Sequence, residues 1–344
     1  MAGKGLISSQ KLEQLVEGVN IALSAIGTNN ATIHKKIAFV DDGSQTADGS
    51  LLGEVTQTYK TAQGTMGEKV RYPFSPVSNA PKRWPFGQPR AEVDEVIQYL
   101  TVSRERHGTE DTRLYFDTQD VWGILQNKTA EIMQRAGLLW DLLLAEAINA
   151  NGTAYDGVSF FNSAHPADPT DDSKGTYSND ISVSALDESG FASALDAYAA
   201  VKWFDGKVRN QELAKPFVLV PNMTLALKAR QLVFGSIIPV AGASTDVGGS
   251  SPFNGLVQDV LFFPSLLTES PGANASKYIY IVSPGTPVKA GFIVSPSRQP
   301  LFHIAGISPD EEIRRKYGAI AYGWDAFGGV DLGLPQDVVR VKVG

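Results

Sequence analysis

No proline falls between Pro89 and Pro166, although nineteen are scattered through this chain of 344 residues. Inside that window apolar residues recur at Val121, Ile124, Leu125, Ile132, Met133, Ala136, Leu139, Trp140, Leu143, Leu144, Ala147 and Ile148. The spacing follows the 3.6-residue period and predicts one amphipathic helix from Thr118 to Ala150, nearly all-round apolar in its last turns. At 1.5 Å per residue such a helix is on the order of 50 Å long, more than the width of a small domain. It is expected to act as a beam from which the other elements hang.

Composition narrows the classes that can surround this beam. The net charge is −7, from 30 basic and 37 acidic residues, which argues against a sequence-reading nucleic-acid binder with a basic stripe. There is no cysteine, so disulfide frameworks, thiolate nucleophiles and cysteine metal sites are excluded. Residues 1–20 show no signal-peptide pattern, and no window is apolar enough to predict a membrane span.

Before the beam, Ser8 or Ser9 is positioned to cap a helix whose stripe is Leu12, Leu15, Val16, Val19, Leu23 and Ile26. Gly27, Asn29 and Asn30 end it, and residues 28–60 read as irregular, so residues 1–60 are expected to form an N-terminal arm. Five prolines between Pro73 and Pro89 crowd a segment that also carries Tyr72, Phe74, Trp84 and Phe86. With Glu68–Pro73 and Val96–Ser103 as strands, residues 61–115 read as a long extended hairpin with a proline-stiffened tip. The tip residues Phe74, Lys82, Arg83, Trp84 and Phe86 are expected to contact a partner; the plainer alternative is a loop folded over its own core.

After Asn151-Gly152 the chain mixes β-runs with helices and lacks the regular alternation of a parallel-sheet enzyme, which makes the class α+β. Expected helices are 184–204 and 224–234; expected strands are Phe217–Val220, Val260–Phe263, Tyr278–Val282, Ala290–Val294, Ile313–Trp324 and Val338–Val343. Residues 239–258 read as a Gly/Ser-rich surface loop.

No catalytic pattern accompanies these elements. His34, His107, His165 and His303 are far apart, and no phosphate-cradling or nucleophile-elbow motif occurs. His165, followed by Asp168, Asp171 and Asp172, is the best metal candidate, but reads as a turn. No cofactor is expected. Asp310-Glu311-Glu312 followed by Arg314-Arg315-Lys316 reads as a charge-compensated element end, or as an intersubunit salt-bridge strip.

Three segments carry a resemblance. YDGVSFFNSAHP (Tyr155–Pro166), PFVLVPNMTLALKARQL (Pro216–Leu232) and YGAIAYGWDAFGGVDLG (Tyr317–Gly333) resemble the Mu-like prophage major head subunit, within the tailed-phage major capsid proteins. The matches span most of residues 95–333; the first 90 residues and the ending PQDVVRVKVG depart from the pattern. The resemblance implies an HK97-like major capsid fold: N-terminal arm, extended loop, spine helix, and peripheral and axial domains. In this layout residues 116–180 are peripheral, with a spine core at Val121, Ile124, Ile132, Leu139 and Leu143. Residues 181–300 are axial, and 301–344 return to the peripheral domain. The arm, through Leu12, Leu15, Val16 and Val19, and the loop would contact neighbours.

The resemblance further implies self-assembly into hexamers and pentamers of an icosahedral shell made in the bacterial host cytoplasm. Scaffold, portal and cement or decoration proteins would assist, double-stranded DNA would be contacted non-specifically, and no membrane is involved. Lys69 and Lys82 lie in the loop that some capsids of this fold crosslink, but the sequence identifies neither a partner asparagine nor a catalytic carboxylate, so it predicts no crosslink either way. The competing classes are a metal-dependent hydrolase using His165 and a minor virion or tail protein.

Overall fold

The computed structural model describes residues 8–28, 32–43, 52–76, 97–118, 120–208, 215–235, 251–286 and 290–344. In chain order the first elements are α1 (Ser9–Thr28), α2 (Ile33–Ile37), β1 (Phe39–Val40), β2 (Glu54–Lys60), β3 (Met66–Phe74), β4 (Gln98–Gly108) and β5 (Thr112–Tyr115). The helices α3 (Val121–Gly137) and α4 (Leu139–Ala150) follow, then β6 (His165–Pro166), β7 (Thr176–Tyr177) and β8 (Asp180–Val183). Next come α5 (Glu188–Ala200), β9 (Phe217–Val220), α6 (Met223–Phe234), β10 (Asp259–Phe262) and β11 (Tyr278–Val282). The last are β12 (Phe292–Ala305), α7 (Glu312–Tyr317), β13 (Ala319–Leu332) and β14 (Val338–Val343). The α+β class read from the sequence is the class observed.

Two sheets organise these elements. One runs β1-β12-β13-β4-β3-β2, with β5 also on β13; the other runs β10-β9-β11-β14-β8. The alternation of side chains along the second sheet divides its faces. Phe217, Leu219, Leu261, Tyr280, Val282 and Val338 join the main core under α1, α3, α4 and β12–β13. Val218, Val220, Val260, Ile279, Ile281, Val339 and Val341 meet α5 and α6 instead. Gly328 and Gly329 permit the close packing of β13: a Cβ on Gly328 would stand 2.6 Å from the Trp140 ring, and one on Gly329 1.9 Å from the Ser103 carbonyl oxygen.

Several expectations are corrected. The beam is two helices. It starts at Val121, where Asp120 accepts from the Gly123 N–H at 3.0 Å, and its α-helical run is interrupted at Leu138 beside Gly137. There the Leu138 N–H turns to the Arg135 carbonyl at 3.2 Å, a tightened turn of the kind that follows a helical glycine. Residues 28–60 are not irregular throughout, since they contain α2, β1 and β2. The span Ile313–Trp324 opens as α7 and becomes strand only at Ala319. In the acidic–basic run that includes α7, Glu311 accepts the Ser308 N–H at 2.9 Å and Arg314 donates to the Ile307 carbonyl at 2.7 Å, so both ends serve the chain's own turn.

Two strands lie across the expected domain boundaries. β12 belongs to the larger sheet from Phe292 onward, before the expected boundary at 300. β14, expected to leave with residues 301–344, instead sits inside the smaller sheet: it is antiparallel to β11 (Tyr278↔Lys342) and parallel to β8 (Ser182↔Lys342).

Phe74 is buried, at 7% exposure, and is no part of an exposed tip. Its ring lies edge-on to Tyr155 at 5.2 Å and tilted against Phe204 at 6.1 Å, while Trp203 packs on Phe204 at 4.9 Å. Removing the ring from this cluster by Phe74→Ala is expected to cost about 3–4 kcal/mol of stability, read as a lower denaturant midpoint in chemical unfolding.

Candidate assembly surfaces

The expected hairpin exists. β3 and β4 pair antiparallel from Glu68↔Arg104 to Phe74↔Gln98, and β2 adds a third strand on the outer edge of β3. One face of this ribbon carries Val70, Tyr72, Phe74, Leu100 and Val102 into the chain's own core. Among them sits Arg104, 1% exposed, whose guanidinium donates to the Ser295 hydroxyl at 2.7 Å and to the Ser295 carbonyl at 3.2 Å. Glu68 stands 3.9 Å away, and the Tyr72 hydroxyl shares the Ser295 hydroxyl. Burial pushes the Tyr72 phenol above its ordinary range. Nearby, buried Asp41 accepts the N–H groups of Leu52 at 2.8 Å and Gly53 at 3.0 Å, pinning the turn that leads into β2.

The opposite face of the ribbon is open. Arg71 lies 4.1 Å over the Tyr99 ring and pairs with Glu54 at 2.8 Å; Ile97 and Tyr99 are exposed beside Pro73. Lys69 is exposed on this same face. The expected tip residues Lys82, Arg83, Trp84 and Phe86 lie outside the described residues.

The N-terminal stripe has a partner within the chain. Leu12, Val19 and Leu23 are buried in the main core, and Leu15 and Val16 are half-buried against it. Asn20 fixes the helix to β12 by exchanging two hydrogen bonds with the backbone of Phe302, at 2.8 and 3.2 Å. Ser8, not Ser9, caps it, through the Lys11 N–H at 3.3 Å. Of the spine residues, Val121 and Leu139 are buried, Ile132 and Leu143 are half-buried against the core, and Ile124 is half-buried. A link that the sequence reading missed joins α2 to α4: His34 Nδ1 meets Asp141 Oδ1 at 2.7 Å, and the His34 N–H donates to the same oxygen at 2.9 Å.

His165 is committed to structure. Its Nδ1 faces Asp156 Oδ2 at 2.6 Å, its Nε2 faces the Phe160 carbonyl at 2.9 Å, and its ring stacks on Tyr177 at 5.2 Å. Asp168 and Asp171 accept from Thr170 and Ser173 in their own turns, at 2.8 and 3.0 Å. Among the described residues no group of three or more His, Asp or Glu could hold a metal ion. Within the same set no helix is long and apolar enough to cross a membrane.

A capsid chain of cyanophage P-SCSP1u superposes with a TM-score of 0.53, covering 91% of this chain and 88% of that one at 11% identity. The fold is a phage capsid fold. The procapsid of bacteriophage JBD30 aligns at a TM-score of 0.46 and 14% identity, over 98% of this chain and 77% of that one. The capsid of an empty GTA particle aligns at 0.46 and 11%, over 92% and 97%. No family model and no curated protein matches the sequence.

Asp331 and Asp156 offer tests of the packing described. Asp331, on β13, is pushed up to about 6 by burial, although it accepts the Leu332 N–H at 2.8 Å. An unfolded Asp titrates near 3.9, so between about pH 4 and pH 6 the folded chain keeps a proton that the unfolded chain has released. Stability is therefore expected to fall by roughly 2–3 kcal/mol as the pH rises through that window. Asp331→Asn should flatten the dependence and raise stability at pH 7, measured by chemical unfolding from pH 4 to 8. Asp156→Asn should break the buried pair with His165 at a cost of about 3–5 kcal/mol, with divalent-cation binding by calorimetry the same before and after.

Proposed function

We propose that this chain is the major capsid subunit of a tailed bacteriophage, a structural protein that assembles with copies of itself into an icosahedral shell. The observation that carries the reading is the match of fold to a phage capsid chain across nine-tenths of this one, at 91% coverage. The three segments that resemble the Mu-like prophage head subunit support that narrower assignment. In this reading the larger sheet with α3 and α4 is the peripheral domain, and the smaller sheet with α5 and α6 is the axial domain. The β2–β3–β4 ribbon is the extended loop, and its open face together with Lys82, Arg83, Trp84 and Phe86 reaches a neighbouring subunit.

A non-enzymatic role suits the side chains described. Both nitrogens of His165 are engaged by the chain itself, which gives the hydrolase alternative no support. The shell would sit in the virion, assembled in the host cytoplasm with scaffold, portal and decoration proteins. Its interior would meet double-stranded DNA without sequence preference, and the net charge of −7 limits adhesion to that DNA.

Electron microscopy of the purified chain, with light-scattering mass alongside, is expected to show closed shells or five- and six-fold rings. Particles absent even on co-expression with the other head genes would overturn the reading.

A further inference from the structure

Two arginines flank β13, one from each neighbouring strand. Arg106 on β4 and Arg298 on β12 both stand opposite Phe327. Trp324, Ala326 and Gly328 face the core under α3 and α4, so Asp325 and Phe327 between them point to the other side of the sheet. There both guanidiniums close on one oxygen. Arg106 Nη2 donates to Asp325 Oδ2 at 2.8 Å, and Arg298 Nη2 donates to the same atom at 2.7 Å. The carboxylate is 16% exposed, whereas the two arginine side chains are 57% and 46% exposed. Two cations on one anion leave a surplus positive charge, and a guanidinium has five N–H donors to place.

Arg298 is held out by a break in its strand. The pairing of β12 with β13 shifts between Pro296 and Arg298 and again between Arg298 and Leu301. A bulge of this kind re-aims a side chain. From the α4 side Trp140 Nε1 donates to Gln299 Oε1 at 2.9 Å, which pins the bulge in place. Leu301, exposed and directly opposite Asp325, adds an apolar patch beside the charges. One further carboxylate, brought from outside, would make the cluster neutral.

The sequence carries such acids. Glu92, Asp94 and Glu95 fall within four residues, and no Lys or Arg occurs from Ala91 to Ser103. Glu95 cannot meet Arg106 of its own chain. Gln98 and Arg106 lie on one strand, about 27 Å apart, and the three residues back to Glu95 return at most about 10 Å. What is left exceeds the combined length of an arginine and a glutamate side chain, so the two meet only between copies. We infer that Arg106 and Arg298 of one subunit clasp the acidic run 92–95 of its neighbour. This rests on the shell reading, in which the hairpin reaches a neighbouring subunit, and assigns the surface that receives it. A guanidinium grips a carboxylate with two parallel bonds, and closure against Leu301 strengthens a pairing that is weak while exposed. The charges fix register and exclude wrong partners.

The chain has no cysteine, so introduced pairs report the contact without background. In assembled full-length protein, Ser297→Cys combined with Val96→Cys leaves every charge in place. Mild oxidation should link this double variant into multimers on non-reducing gels, and neither single variant should do so. Arg298→Glu should raise the concentration needed for rings or shells roughly tenfold or more, by electron microscopy and sedimentation. Monomer melting temperature should stay nearly unchanged, because an exposed pair contributes little. Glu95→Arg should act in the same direction, and Arg298→Glu with Glu95→Arg should recover much of the loss. Particles in which the cysteine pair fails to link, or Arg298→Glu subunits that assemble as the wild type does, would overturn the clasp. Arg298→Glu particles that form normally but lose DNA or another head protein would assign the arginines to that partner instead. Failure of the wild type to assemble with its head proteins would overturn the shell reading itself.

Discussion

A guanidinium taken out of water must be satisfied where it stands, and Arg104 imposes that demand on three strands at once. Its donors reach Ser295 on β12, its own strand β4 is the inner half of the hairpin, and Tyr72 on β3 converges on the same serine. The cost of an uncompensated buried charge is several kcal/mol, so the hairpin base cannot slide along β12 without losing that arrangement. The apolar face above it then falls into register with Phe39, Ile293 and the Trp203–Phe204 corner. The position of the ribbon relative to β12 follows from this one polar anchor surrounded by aromatic packing.

The two sheets meet through the divided faces of the smaller one. One face is continuous with the core under α3 and α4, and the other packs against α5, α6 and the segment around Phe253. A layer arranged in this way holds its outer helices on a stiff support. The half-buried flank of α6, with Leu225 and Leu232, packs within the chain, and Met223, Leu227 and Phe234 on its opposite flank are exposed.

Much of the architecture was legible in the residues. Phe217–Val220 and Tyr278–Val282 are continuous apolar runs of strand length, Val338–Val343 alternates valine with Arg340 and Lys342, and all three are strands as read. The hairpin was legible because β-rich segments flank a proline-crowded interval. What failed were properties that no local window encodes. A helical glycine followed by leucines keeps the helical period, so the interruption at Leu138 is invisible without the backbone. Phe74 reads like its tip neighbours, but its fate depends on Phe204, 130 positions later. The α1 stripe and the His34–Asp141 link have the same character: amphipathicity announces a buried face without naming what buries it.

The position of β14 has a consequence for how the molecule comes into being. The strand lies between β11 and β8, and its partner Asp180 is paired with Arg340, 160 residues away in the chain. Pairings this distant form late, because the loop they close is long. Until residues 338–343 have been synthesised, the sheet beneath α5 is split, with β8 cut off from the rest. A nascent chain thus carries α3, α4 and the β3–β4 pair before it can complete the smaller sheet. Synthesis sets an order: the smaller sheet closes only once residues 338–343 have emerged, well after β8 and β11 have been made.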